Sequence, residues 1–231
     1  LLEQLSKNLL LAVKTSKNKK DICQALAHAD SHLVEKQIIS DELRKSFWLN
    51  IYNAYTQILL SDNPQSFQQK IKFFGNRFIN IAGTKLSLDD IEHGILRKSR
   101  FKYGLGYVSW PSRFKKEKDW QLSSYDARIH FALNCGATSC PVIAVYSSVN
   151  IEEQLEKATL NFLQSETKYD TQKNVVYLSK IFFWFYGDFG GRSGIIHLLH
   201  KHQLIPLSSR PRLRFLKYDW RLQKGKFLTD S

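Results

Sequence analysis

A single α+β domain is the fold class this sequence predicts, with a central helix packed on a mostly antiparallel sheet. Three observations predict it. Apolar residues recur at helical spacing over the first 60 residues, the mark of amphipathic helices. Period-2 alternation and a β-branched run follow, at residues 128–134, 175–178 and 213–218, the mark of strands. No internal repeat, low-complexity tract or linker divides the 231 residues, a length one core can serve.

Residues 1–37 predict two helices. Leu1, Leu2, Leu5, Leu9 and Val13 mark one face, Lys17 to Lys20 form a break, and Ile22 and Leu26 begin the second. Asp41 is the expected N-cap of a third helix reaching about Leu60. Phe47, Trp48, Ile51, Tyr52, Tyr55 and Ile58 cover most of its circumference, so it is expected to be central. Asn50, Asn53 and Gln57 share one side of it. A buried amide without a partner costs about 1–3 kcal/mol. These amides therefore either orient a site or tie down neighbouring loops.

Ile71 to Ile81 predicts one or two short strands, and Gly83-Thr84 a hairpin turn. Ser87 with Asp90 is a capping box for a helix to about Lys98. Leu88, Ile91 and Ile95 form its buried face, with Asp89, His93 and Arg97 on a polar stripe. Glu92 lies about 100° from His93 around an ideal helix. Residues 99–125 predict a flexible covering loop. Its glycines lack the Lys-Ser/Thr ending of a phosphate loop.

Residues 126–141 hold the densest chemistry: His130, Asn134, Cys135, Gly136 and Cys140. The alternation of Ile129, Phe131 and Leu133 predicts a strand running into a tight turn. Reactive groups beyond a rigid element are a common way to build a site. The bland alternative is a buried strand whose cysteines merely pack. Asn150 caps an expected helix to about Phe162, Val175 to Leu178 a strand, Ile181 to Phe185 and Ile195 to His202 short helices, and Leu213 to Tyr218 a last strand. His197 and His200 share a helix face without a carboxylate or cysteine to complete a metal set. No metal and no cofactor is expected.

Hydrophobic content of 43 % and aromatic content of 13 % exclude disorder. No apolar run approaches the roughly 18 residues of a membrane span. The first residues lack the order of a signal peptide, yet the chain contains no Met, and the compartment stays open, the cytoplasm slightly favoured over export. Three cysteines make no disulfide scaffold; Cys135 and Cys140 would pair in an oxidising compartment and stay thiols in a reducing one. The net charge is +13, concentrated at Arg97 to Lys118, Lys115 included, and in residues 201–231. Such a field favours an anionic partner. A solvated basic surface without a specific partner is the simpler explanation, and no nucleic-acid motif accompanies the charge.

Several stretches resemble the domain of unknown function 547 family. They are Phe47-Trp48-Leu49-Asn50-Ile51-Tyr52-Asn53-Ala54, Ser87 to Arg97, Asp126 to Pro141 (with Ala127 where Pro is more usual), Leu178-Ser179-Lys180-Ile181 and Tyr218-Asp219-Trp220. The resemblance implies a family core over 41–220 with a helical extension over 1–40, and a rearranged papain-like core. It implies a cysteine-dependent hydrolase or acyltransferase acting on an amide or ester bond. Such an enzyme needs a thiolate, a base, an orienting group and oxyanion donors. Cys135 is the first choice of nucleophile and Cys140 its rival. The base is His130 or His93, oriented by Glu92 or Asp89. Asn50, Asn53 and Asn134 are candidate orienting groups or oxyanion donors. Cys135, Cys140, His130 and His93 are expected to converge on one pocket with Asn50 near its wall. On an ideal strand His130 and Cys135 would face opposite ways. The rival expectation is a non-enzymatic interaction module, its polar set a hydrogen-bond network and its basic surface the binding face.

Overall fold

A computed structural model describes residues 1–114 and 116–229; Lys115 of the basic stretch lies outside them. The chain opens with three helices, α1 (Leu2–Lys14), α2 (Lys20–Ala27) and α3 (Ser31–Gln37). The third is separate because the Asp30 carboxylate accepts the His32 N–H at 2.9 Å and starts a new turn. Next comes α4 (Asp41–Asp62), buried from Lys45 to Ile58 on every side. Its N-cap is Ser40, whose hydroxyl accepts the Leu43 N–H, not Asp41. The Asp41 carboxylate instead accepts the N–H groups of Ser123 and Ser124, at 2.7 and 3.0 Å, and pins that loop to the helix.

Ile71 lies in a helix, not a strand. After a 3-10 turn (Pro64–Gln68), α5 (Lys70–Gly75) buries Phe73 edge-on against Phe67. Only β1 (Ile79–Ile81) and β2 (Thr84–Leu86) are extended, an antiparallel hairpin. Ala82 and Gly83 both hold positive φ at its turn, the conformation that matches strand twist. The capping box forms as the sequence spacing predicts: Asp90 N donates to Ser87 Oγ and Ser87 N to Asp90 Oδ2, each at 3.0 Å. The helix it opens is a π-helix, Asp90–Leu96. Arg97 N bonds to Glu92 O five residues back. Such wide turns occur mostly as short insertions in helices, and are frequent at functional sites.

Residues 126–134 form no strand. Asp126 caps a 3-10 turn, Ala127–Phe131, and its buried Ile129 and Phe131 have no flanking strand to pair with. They pack instead toward α7 (Ile151–Glu166), Phe131 meeting Phe162 at 5.1 Å. The short α6 (Glu117–Trp120) sets Trp120 against Trp48 of α4. The second sheet orders β3 (Lys168–Asp170), β4 (Val175–Leu178) and β5 (Arg212–Phe215), antiparallel then parallel. Helices α8 (Ile181–Trp184) and α9 (Gly191–Lys201) make the crossover from β4 to β5.

The class is α+β, in one domain. The layering differs from the sequence expectation. The sheets are separate and small, and α4 lies chiefly along α1 with irregular chain around it. No helix among the described residues is long and apolar enough to cross a membrane.

Candidate functional site

The irregular chain around α4 has no neighbouring strand, so its backbone polar groups need other partners. The α4 amides supply them. Asn50 donates to Tyr146 O and accepts from Tyr146 N, both at 2.9 Å. Asn53 donates to Ala132 O and accepts from Asn134 N, both at 2.9 Å. Each side chain thus acts as one rung of a β-ladder. Gln57 Oε1 accepts Gly225 N at 2.7 Å, bringing in the C-terminal tail. Asn134 continues the pattern, donating to Pro141 O and accepting from Gly136 N. All three asparagines are fully buried and fully engaged. None lines a cavity with the cysteines, and Asn50 lies away from that cavity's wall.

The loop these brackets hold carries Cys135 and Cys140, joined as a disulfide with Cα atoms 6.2 Å apart. Gly136 turns it at φ +89, and a Cβ there would lie 2.5 Å from Leu60, so only glycine fits. The C-terminal tail straps the loop down: Thr138 N donates to Arg221 O, Gln223 N to Gly136 O and Ile143 N to Lys226 O. At the start of the strap the Tyr218 hydroxyl stands 3.4 Å from Cys135 Sγ and 3.2 Å from Cys140 Sγ. Burial pushes that phenol above its ordinary value, so it keeps its proton.

Cys135 forms part of the wall of a cavity of about 400 Å³. His130, His93, Glu92, Asp89, Tyr52 and Tyr218 share the wall, among apolar residues such as Leu133, Ile181, Trp184 and Phe185. Cys140 lies behind the surface. The cavity therefore brings together Cys135, both candidate histidines and Glu92, and leaves out Cys140 and the three asparagines.

The histidines differ in their partners. His130 Nε2 is 2.8 Å from Asp188 Oδ2 and 3.1 Å from the Tyr125 hydroxyl. An ionised carboxylate only accepts, so the Nε2 proton belongs on that side and Nδ1 keeps a lone pair. Nδ1 has no hydrogen-bond partner among the described residues. Phe185 stacks on the ring at 3.9 Å. Burial holds the His130 imidazolium below its ordinary pKa, against the opposing pull of Asp188. Asp188 is itself buried, which would raise it. Its bonds to His130 and to Arg97 Nε at 2.7 Å outweigh that, and hold it well below the carboxylate range. Arg100 adds a bond at 2.5 Å.

His93 has both nitrogens committed. Arg97 Nη1 lies 2.8 Å from His93 Nδ1. A guanidinium has only donors, so Nδ1 accepts and the proton sits on Nε2, facing Asp89 at 3.5 Å. Asp89 is pulled down to about 2: burial opposes this, and the bonds to His93 and Lys102 prevail. Glu92 accepts the Tyr52 hydroxyl at 3.1 Å and reaches within 3.8 Å of His93 Nδ1. Arg97 and Asp188 thus link the two histidines through a single buried chain of bonds.

Nothing in the sequence singles out Asp188 or Tyr125, and Tyr218 stands out only as part of the Tyr218-Asp219-Trp220 stretch. Asp188 sits in a glycine-rich break, and a carboxylate inside an apolar aromatic run was the one signal available. Its position depends on the loop at Gly104 to Gly106, which is tied down. Gly187 N donates to Leu105 O at 2.7 Å. A Cβ on Gly106, at φ +83, would meet Asp188 N at 2.5 Å. Elsewhere, His200 Nε2 faces Ser209 O at 3.2 Å, and no group of three or more potential metal ligands occurs among the described residues.

A family profile described as protein of unknown function, DUF547, matches residues 37–163, more than half of the chain. The chain belongs to that family. No curated protein and no solved structure matches it. The span this DUF547 protein shares with its family holds α4, the π-helix, His130 and both cysteines. Asp188 and Tyr218 lie beyond the matched residues.

Proposed function

We propose that this DUF547 protein, once reduced, is a cysteine-dependent hydrolase or acyltransferase acting on an amide or ester bond. One observation carries the reading: Cys135 and His130 line the same cavity, and His130 is held by Asp188 through Nε2 with its Nδ1 lone pair unengaged. A nucleophile, a base and a group orienting that base make a catalytic constellation.

A dithiol first reduces the Cys135–Cys140 disulfide to two thiols and is itself oxidised to a disulfide. His130 Nδ1 then takes the Cys135 thiol proton. The thiolate adds to the carbonyl carbon, and the C=O electron pair moves to oxygen. Tyr218, protonated and beside Cys135, donates to that oxyanion. The tetrahedral species collapses, the C–N or C–O bond breaks, and the leaving group takes the proton from His130. Water or a second acceptor then attacks the thioester carbonyl, its proton passes through His130 to Cys135, and the C–S bond breaks to release the acyl product and restore the thiol. His93, locked between Arg97 and Asp89, shapes the wall.

The disulfide favours a second reading, an interaction module in which the bond staples the loop. One experiment separates the two. The reduced protein is alkylated with iodoacetamide across pH, and each cysteine is read by mass spectrometry. The thiol-enzyme reading expects fast labelling of Cys135 below the free-thiol value of about 8.5, slowed in His130→Ala. Cys23 serves as reference, since burial pushes its thiol up. Labelling of Cys135 as slow as that of Cys23 would favour the module.

A further inference from the structure

Several side chains that line the cavity are also exposed. Ile71 is 78 % exposed, Tyr103 69 %, Leu105 39 % and Trp220 36 %. A residue that both lines a cavity and faces solvent stands at its mouth. Trp110, 50 % exposed, stacks on Phe101 at 4.7 Å, and Phe101 meets Tyr103 edge-on at 5.8 Å. The apolar rim therefore continues outward along the loop. Isolated exposed hydrophobes need no explanation, but a contiguous patch around an apolar cavity marks an interaction surface.

The charge around this rim is positive. Lys70 lines the cavity and lies over the Phe67 and Trp220 rings, at 4.1 and 4.9 Å. It has no carboxylate partner among the described residues; its ammonium donates to Phe67 O. Lys72 is exposed beside Ile71. The acidic groups deeper in are covered, Asp89 by Lys102 and Glu92 by Tyr52. Aromatic rings with a polar edge, aliphatic side chains and unpaired lysines together suit the boundary between lipid headgroups and acyl chains.

We propose that the cavity mouth docks on an anionic membrane surface. The patch formed by Ile71, Tyr103, Leu105 and Trp110 enters the headgroup layer, and Lys70 and Lys72 pair with lipid phosphates. The cavity behind it, apolar and about 400 Å³, accepts the acyl chain of a molecule drawn from that surface. The acyl-chain part rests on the thiol-enzyme reading; the docking does not.

The test is co-sedimentation of the full chain with vesicles of phosphatidylcholine, with or without phosphatidylglycerol. Binding to the anionic vesicles only, weakening as salt rises, is expected. Tyr103→Ser with Trp110→Ser, and separately Lys70→Glu with Lys72→Glu, each lose at least about tenfold in binding, from lost apolar insertion or roughly 1 kcal/mol per basic residue. Tyr103, Trp110 and Lys72 are exposed and Lys70 is half-buried at the mouth, and unchanged thermal melting shows that the variants fold. Brominated lipid quenches the wild-type tryptophan emission more than that of Trp110→Phe. Cys135→Ser binds as the wild type does, so failure of the thiol chemistry leaves docking standing. Equal binding to neutral vesicles, no binding to either, or full binding by both double variants would overturn the proposal. Soluble polyanions that bind as tightly as vesicles, unaffected by Tyr103→Ser with Trp110→Ser, would assign the surface to a polyanion instead.

Discussion

Arg97, with no exposed surface, donates to His93 Nδ1 at 2.8 Å and to Asp188 Oδ2 at 2.7 Å. The first bond fixes the His93 tautomer. The second keeps a carboxylate ionised beneath His130. Arg97→Met leaves Asp188 with one cation fewer in a buried setting. Breaking a buried pair on one side costs about 3–5 kcal/mol, and urea unfolding is expected to show a loss of that size. Arg97→Lys keeps the charge without the fork geometry and loses less. An unchanged midpoint in Arg97→Met would mean that Asp188 is satisfied without it.

His130 and His93 are predicted to separate kinetically. His130→Ala lowers the alkylation rate of reduced Cys135 near pH 7 by roughly ten- to thirtyfold, since a thiol returned to about 8.5 is only a few per cent thiolate there. His93→Ala lowers it far less, because both His93 nitrogens are engaged. Burial lowers the His130 pKa, so the base stays neutral and active to below its ordinary value of about 6.5. The acid limb of the wild-type rate therefore lies below that pH. Equal losses in the two variants would contradict the assignment.

Cys140→Ser is predicted to remove the need for a reductant. The disulfide engages the Cys135 sulfur, and without Cys140 the thiol is free at the cavity wall. Labelling of Cys135 in the variant proceeds at once in the absence of dithiothreitol, whereas the oxidised wild type labels only after reduction. Mass spectrometry of the unreduced protein checks the starting state.

Stability is predicted to fall with acid between about pH 4 and pH 2. Unfolded aspartates titrate near 3.9. In the fold Asp89 and Asp41 are each held down to about 2. For Asp41, burial is outweighed by the bonds from Ser123, Ser124 and Arg44. Between the two values the unfolded chain binds more protons, so stability rises with pH there and is lost on acidification. Asp188 acts in the same direction. Thermal melting in half-unit steps measures the slope. Asp89→Asn flattens part of it, and a flat wild-type curve would contradict the assignment.

Asn53→Ala is predicted to cost about 1–3 kcal/mol, since it strands a buried carbonyl at Ala132 and a buried N–H at Asn134. Asn50→Ala does the same at Tyr146. Urea denaturation measures both. The Asn53 loss also loosens the cysteine loop, so reduced Cys135 in that variant labels with a broader pH profile.

The parts legible in the sequence were those with local causes. The Ser87–Asp90 box, the all-round apolar α4 and the β-branched β4 each declare themselves within a few residues. Residues 128–134 misled because alternation over so short a run also fits a 3-10 turn with two buried side chains, Ile129 and Phe131. What a strand takes from its neighbour, this stretch takes from the Asn53 amide. The π-helix left no mark in the apolar spacing, since seven residues, Asp90–Leu96, are too few to separate neighbouring helical periods. Asp188 reaches His130 across 58 residues, and nothing near it in the chain announces the pairing. The α4 amides Asn50, Asn53 and Gln57 are legible in the sequence as buried groups in need of partners, and they are buried. Which of their two expected roles applies depended on chain far away.

The amide rungs of α4 also set an order of events. Asn53 reaches Ala132 across 79 residues, Asn50 reaches Tyr146 across 96 and Gln57 reaches Gly225 across 168. Such contacts repay their loop-closure entropy only late, and chains rich in them fold slowly. On a ribosome, α4 emerges after α1 but well before the chain its amides bind, and its remaining apolar surface must wait for the cysteine loop and then the tail. The site thus takes its geometry only once the strap is in place, and a chain cut before Arg221 would carry the cysteines and histidines without the bonds that align them.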